Sequence, residues 1–343
     1  CCGTRLLLLG VRGGTPSLLC IPMRRSSLPS QLAQSALLAV LTLALSVPAL
    51  AATITVDSST DDGTGGCTLR EAVESANTDT AVGDCVAGNA NDSILFAPGV
   101  TFIQLTSQIT STNPLVIQGN GSAVTTVSGA SGHRVFEVQA STTFQDIEIT
   151  SAGSTALTGY PTDGGAVFMA GGITVFAIDV VFSGHQVSGS GGAIWVPATS
   201  QFSTVLGQSA EFTGNRARGT AATQGGGAIY SEGSVVLANT TFTDNRALGT
   251  SGSGGAIHTA AGEGLFVNNN VTFTGNRAQR AGGAIEATGG AFTVSGSAFQ
   301  QNTAGDSPGN GGAIHVSGSV EAEITTSSFS DNRAVEGGAL WIG

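Results

Sequence analysis

Residues 226–245 read GGAIYSEGSVVLANTTFTDN, and this phrase returns along the chain at a nearly fixed interval. Gly-Gly-Ala plus an aliphatic residue begins at Gly164, Gly191, Gly226, Gly254, Gly282, Gly311 and Gly337. Interleaved with it, Phe-x-x-Asn begins at Phe212, Phe242, Phe273, Phe299 and Phe329, and Phe182 heads a variant ending in His185. A period of roughly 20–50 residues marks a solenoid, whose repeats bury their apolar faces by stacking on one another. Runs such as 234–242 (SVVLANTTF) and 291–299 (AFTVSGSAF) alternate apolar with small polar residues and are rich in Val, Phe and Thr. They read as strands, and no repeat shows a 3.6-residue apolar period. The fold class that follows is all-β: a single right-handed parallel β-helix, with two or three short strands per coil. Handedness is taken from the chirality of parallel crossovers. Gly-Gly suits the corners, where a positive φ is needed. Asn215, Asn245, Asn276, Asn302 and Asn332 are expected to form a buried ladder, each amide bonding the coils above and below.

These paired motifs resemble the repeats of chlamydial-type polymorphic outer membrane proteins, over about residues 164–343. The resemblance implies a secreted β-helix passenger with an adhesive role.

The chain of 343 residues is 41% hydrophobic and only 10% charged, with 51 Gly and no Lys. Without an ammonium there is no P-loop lysine, no Schiff base and no Ser-Lys dyad. Residues 1–22, ahead of the first Met at Met23, read as upstream non-coding read-through. Residues 23–51 read as a signal peptide: Arg24 and Arg25, the apolar run 36–47 (ALLAVLTLALSV), then Ala49-Leu50-Ala51 as the cleavage site. Removing them takes away Arg5, Arg12, Arg24 and Arg25, so 8 Arg face 23 acids and the formal net charge becomes −15. Such a surface disfavours nucleic acid. The apolar run is too short to span a bilayer, so no transmembrane segment is expected in the mature chain.

Residues 52–92 read as an N-terminal cap. Thr68 and Glu71 fit a capping box, and Leu69, Ala72, Val73 and Ala76 share one helical face. Arg70 is spaced to pair with Glu74, and Asn77 is placed as the C-cap. Cys67 and Cys85, an even number in an exported chain, are expected to form a disulfide. Cys67–Ala72 (CTLREA) resembles the CSLREA domain at the N-terminus of secreted bacterial β-helix proteins, with Thr68 where that motif has Ser. Residues 93–343 are then the β-helix, first as less regular coils with strands near 93–96, 102–105, 115–118, 134–138 and 142–149. The chain stops just after a coil begins at Gly337, which reads as a truncation.

Little in the sequence carries catalysis. No Cys or His pair has zinc spacing, and no nucleophile elbow or Ser-His-Asp set is present. The loop 57–66 (DSSTDDGTGG) lacks calcium-loop spacing. Glu321 and Glu323 sit two apart on one strand, which places them side by side and not across a bond. Catalytic residues, metals and cofactors are therefore expected to be none. Arg216, Arg246, Arg277 and Arg333 each follow a ladder Asn and should stack as a ridge.

The binding candidates come from alternation. If the aliphatic residue after Gly-Gly-Ala faces inward, the next one faces out. These are Phe168, Trp195, Tyr230, His258, Glu286, His315 and Trp341. Both Trp and one of the two Tyr fall in this column. An exposed aromatic and imidazole stripe is expected to bind a glycan or a host or neighbouring cell-surface molecule. The competing reading has loops such as 216–224 folding over it as a structural ladder; a weak metal site at His258, Glu286 and His315 is a further alternative. The leading function is a secreted or cell-surface, adhesin-like, non-enzymatic scaffold, associated with a Gram-negative outer membrane. The alternative is a polysaccharide lyase or glycoside hydrolase built on a β-helix.

Overall fold

In the computed structural model, described here over residues 51–130, 132–151, 161–260, 264–305, 308–318 and 320–343, every strand pairing is parallel. Residues 1–22, and 23–51 apart from Ala51, lie outside the described residues. The fold is a parallel β-solenoid of about 7 turns.

One coil shows the construction. It runs through strand Ile229–Ser231, strand Ser234–Leu237, strand Thr240–Thr243 and the two-residue strand Arg246–Ala247, before Ile257–Thr259 opens the next. Each pairs in register with its counterpart one coil on: Ile229 with Ile257, Val235 with Leu265, Phe242 with Phe273 and Arg246 with Arg277. The solenoid thus has three parallel sheets, of 17, 9 and 5 strands. Two strands of the largest, Thr142–Ser151 and Thr174–Ser183, bend at Asp146 and Asp179, whose φ is 52° and 55°. In later coils this stretch is two strands, so a coil has four strand segments where two or three were expected. The pairs such as Arg216–Ala217 are too short to show alternation. Strands Ile109–Ser111 and Thr126–Gly129 also lie outside the sequence-based assignments.

The corner glycines answer to two constraints. Gly226 has φ 65°, a conformation that L side chains rarely adopt. Gly227 needs no such angle; a Cβ there would collide with the carbonyl oxygen of Gly255 and the backbone of Arg246. The first Gly turns the chain, and the second lets coils approach.

Inside, Phe182, Phe212, Phe242, Phe273, Phe299 and Phe329 stack with centroids 4.7–4.9 Å apart. Beside them runs the amide ladder. Asn245 Nδ2 donates to Asn276 Oδ1 at 3.0 Å and to Phe212 O at 2.8 Å, and the pattern repeats at Asn215, Asn276 and Asn302. These four are wholly buried, and Asn332 on the last coil is half-buried.

His185 occupies the ladder position in the first of these coils. Its backbone N–H donates to Asn215 Oδ1 at 3.1 Å, and its Nε2 lies 2.9 Å from Ile149 O, where Asn would place an amide nitrogen. Burial pushes its pKa down to about 4. An unfolded histidine takes its proton near 6.5. Between those values the unfolded chain holds more protons, so this contribution is complete above pH 6.5 and is lost as pH falls towards 4. The loss is on the order of 3 kcal/mol. His185→Asn, which restores the ladder residue, will flatten denaturant-measured stability across pH 4–6.5 relative to wild type; parallel pH profiles for the two would show that His185 is not the cause.

The N-terminal end is closed by helix α1 (Leu69–Thr78). Thr68 and Glu71 form the reciprocal capping box. Leu69, Ala72, Val73 and Ala76 are buried in the same core as Ile54 and Ile94. Cys67 and Cys85 are bridged, with Cα atoms 4.7 Å apart. Two local expectations are corrected. Arg70 pairs with Asp61 at 2.8 Å and donates to the carbonyls of Ser107 and Gln108, and not with Glu74. The C-cap is Asp79 in the left-handed region, while Asn77 uses its amide on Thr110 O and Thr112 N. Both residues tie the helix to the coil beneath it, and those longer-range bonds win over the local pairing.

Candidate functional site

The nine-stranded sheet places the predicted column in register, Phe168 beside Trp195, then Tyr230, His258, Glu286, His315 and Trp341. One coil earlier, Glu137 lies beside Phe168. The inward partners behave as expected: Val167, Met169, Ile194, Val196, Ile314 and Val316 are buried, while Leu340 and Ile342 on the last coil are exposed.

The stripe is not uniformly exposed. Tyr230 is 7% exposed, His258 1%, Glu286 0% and His315 3%. An open binding surface at these four is therefore corrected, because the segments leading into each Gly-Gly-Ala lie over them. Arg280 reaches from one such segment to Glu286 at 3.6 Å and to Ser253 at 3.2 Å. Another supplies Gln224, whose backbone bonds His258. Short bridges such as Gly225 to Ser253 and Ala281 to Asn310 bind these segments coil to coil.

Beneath them is a closed polar cluster. His315 Nδ1 lies 2.6 Å from Glu286 Oε2, and the His315 ring stacks on Trp341 at 4.5 Å. Tyr230 meets His258 edge-on at 5.3 Å. Burial holds the His258 imidazole below its ordinary value, against the pull of Glu286. It also pushes the Tyr230 phenol up to about 12, with Glu232 adding to the shift. A carboxylate this buried needs a cation and hydrogen-bond partners; Arg280 supplies the charge at 3.6 Å and the His315 ring nitrogen a partner at 2.6 Å. Among the described residues no His, Cys, Asp or Glu group is arranged to hold a metal ion.

The N-terminal half of the column stays at the surface. Phe168 and Trp195 are half-buried and stack at 4.6 Å with planes 2° apart. The Arg134 guanidinium lies over the Phe168 ring at 4.4 Å and pairs with Glu137 at 3.6 Å. Stacking along the solenoid axis occupies ring faces and turns ring edges outward. The result is a ridge rimmed by Arg134 and Glu137, with Glu232 accepting from the Tyr230 hydroxyl at 3.4 Å on the next coil. Alternation found Phe168 and Trp195; Arg134 and Glu137 were missed as members, although their i, i+3 spacing was the available signal. Glu321 and Glu323 are exposed near the end of the chain.

Residues 209–232, 239–260 and 270–288 match the family described as the Chlamydia polymorphic membrane protein (Chlamydia_PMP) repeat. Over these three segments the chain is similar to that repeat, and they lie on consecutive coils of the parallel β-solenoid. No curated protein and no solved structure matches it. Each matched Pmp-like segment holds a Phe-x-x-Asn, the two-residue Arg-Ala strand, a covering segment and the next Gly-Gly-Ala. The repeat therefore includes the lid as well as the strands. No helix among the described residues is long and apolar enough to cross a membrane.

Proposed function

We propose that this chain is a cell-surface scaffold, exported and adhesin-like, that engages a protein on a neighbouring cell through the Phe168–Trp195 ridge. The observation that carries the reading is the half-exposed, parallel ring pair beside Arg134 and Glu137. Aromatic residues and Arg are enriched at the centre of protein-binding patches, and carboxylates belong to the polar rim around them. Both faces of the Phe168 ring are occupied, by Arg134 and by Trp195, so that ring presents only its edge to a partner. The Pmp-like repeats support placement at a cell surface or outer membrane. The signal-like segment 23–51, the disulfide and the CTLREA resemblance support export.

The test uses fluorescent beads coated with the protein and added to cultured epithelial cells. Beads carrying the wild type should adhere, and prior trypsin treatment of the cells should remove adhesion. Phe168→Ala with Trp195→Ala should cut adhesion at least tenfold while the coil core survives, as judged by an unchanged far-ultraviolet spectrum. Undiminished adhesion by this double variant would overturn the ridge, and adhesion to trypsin-treated cells would overturn a protein partner.

A further inference from the structure

The five-stranded sheet carries a second column on another face. Its outer positions are Gln186, Arg216, Arg246, Arg277 and Thr303, and a bridge continues it to Arg333. The alternate positions, Val187, Ala217, Ala247, Ala278 and Ala304, are buried, so the arginines stand on the outside. Arg277 and Arg333 are exposed, and Arg216 and Arg246 are half-buried.

Coils repeat at about 4.8 Å, so three guanidiniums rise in succession at that spacing. Two like charges about 5 Å apart repel by close to 1 kcal/mol even in water. The chain has 23 carboxylates for 12 cationic side chains, so acids to quench the repulsion are abundant. None of them pairs with the row: the Arg–carboxylate pairs among the described residues are Arg70–Asp61, Arg134–Glu137 and Arg280–Glu286. The Arg216 guanidinium donates to Gly214 O in its own turn, and the Arg246 Nε is buried with no partner. Asp244 and Asp331 sit two residues before Arg246 and Arg333 but form no ion pair with them. At Thr303 the row is interrupted, and there the surface opens into a cleft lined by Arg277, Thr303, Gly305, Arg333 and Val335. Its two guanidiniums are two coils, or roughly 10 Å, apart.

We infer that this row is a binding site for an acidic polysaccharide, laid along the solenoid axis with its carboxylates or sulfates on Arg216, Arg246, Arg277 and Arg333. A line of cations at one-coil intervals fits a polymer with a regular anionic repeat better than a single small anion. The Thr303 cleft gives one sugar unit room to seat between two guanidiniums, with the threonine hydroxyl available to its ring oxygens. Single-stranded nucleic acid requires stacking surfaces between its phosphate contacts. The non-buried residues beside the row, among them Gly214, Asp244 and Gly275 on one side and Arg218, Leu248 and Gln279 on the other, include no aromatic ring, so charge and polar contacts are what it offers. Repulsion from the acidic remainder of the protein is screened beyond about 10 Å, so it does not keep such a chain from the row.

The experiment measures binding of the whole chain to heparin, to polygalacturonate, to neutral dextran and to oligothymidylate over a salt series starting near 50 mM. Binding to heparin or polygalacturonate, with affinity falling linearly in log salt, and none to dextran, is the expected result; which of the two is preferred identifies the acidic group. Arg277→Ala with Arg333→Ala should weaken binding at least tenfold and reduce the salt slope by about 1–2. The Lys double variant should retain most of the affinity. Both sites are exposed, so thermal unfolding of these variants should match the wild type. Failure to bind either polysaccharide, equal binding by the Ala variant, or tighter binding of oligothymidylate would overturn the inference. Loss of the Phe168–Trp195 ridge should leave this binding unchanged, since the two sites share no residue.

Discussion

Asn276→Ala will cost about 3–4 kcal/mol, because the substitution strands donors that have nowhere else to go. The Asn276 Oδ1 accepts from both the backbone N–H and the Nδ2 of Asn245 at 3.0 Å, and its own Nδ2 donates to Phe242 O and Asn302 Oδ1. All of these groups are buried, so water cannot replace the lost partner. Asn276→Asp is the informative companion. It keeps the acceptor for Asn245 but turns a donor towards Phe242 O and Asn302 Oδ1 into an acceptor. Its stability should therefore improve as pH falls and the carboxyl becomes protonated. Guanidinium unfolding of both variants checks this; a cost for Asn276→Ala below about 1 kcal/mol would mean that the ladder only fills space.

Phe242→Ala should be comparably severe, about 3–5 kcal/mol. The ring is wholly buried and stacked between Phe212 at 4.7 Å and Phe273 at 4.8 Å. Parallel strands on both sides fix the coil spacing, so the neighbours cannot close the gap and a cavity remains. Phe242→Leu fills most of that volume and should recover more than half of the loss. In a solenoid a weakened coil also uncouples the coils on either side. The Ala variant should therefore unfold with fluorescence and circular dichroism midpoints that no longer coincide. A single coincident transition, shifted by less than about 1 kcal/mol, would contradict the stack as a source of stability.

The repeat architecture was legible because its demands fall on single residue types at fixed spacing. Only Asn completes the amide ladder, and only Gly fits at position 227, so both recur where the eye finds them. The cap helix was legible for the same reason, its apolar face and capping box being local. What the sequence concealed is contact between segments. Alternation says that His258 and Glu286 leave the strand on the side away from the core; it does not say whether another stretch of chain lies there. The covering segments have no period of their own and vary in length, as the 35-residue step from Gly191 to Gly226 against 28 from Gly226 to Gly254 shows. One signal was present: a Glu in a buried strand needs a cation, and Arg280 stands six residues before Glu286. Arg70 teaches the same lesson, since the rule for i, i+4 pairs sees Glu74 and is blind to Asp61 on a preceding loop.

The direction of the hydrogen bonds has a mechanical consequence. Between coils, both the backbone bonds and the Asn ladder run along the solenoid axis. A load applied to the two ends of the chain is therefore parallel to them, and breaks them row by row instead of shearing many together. At the N-terminal end Arg70 and Asn77 bond the cap helix to the carbonyls of Ser107, Gln108 and Thr110, which adds side-chain bonds to those that a load must break there. Each coil of about 28 residues that comes free adds on the order of 90 Å of slack at low force. Such a molecule yields in steps under tension, one coil at a time.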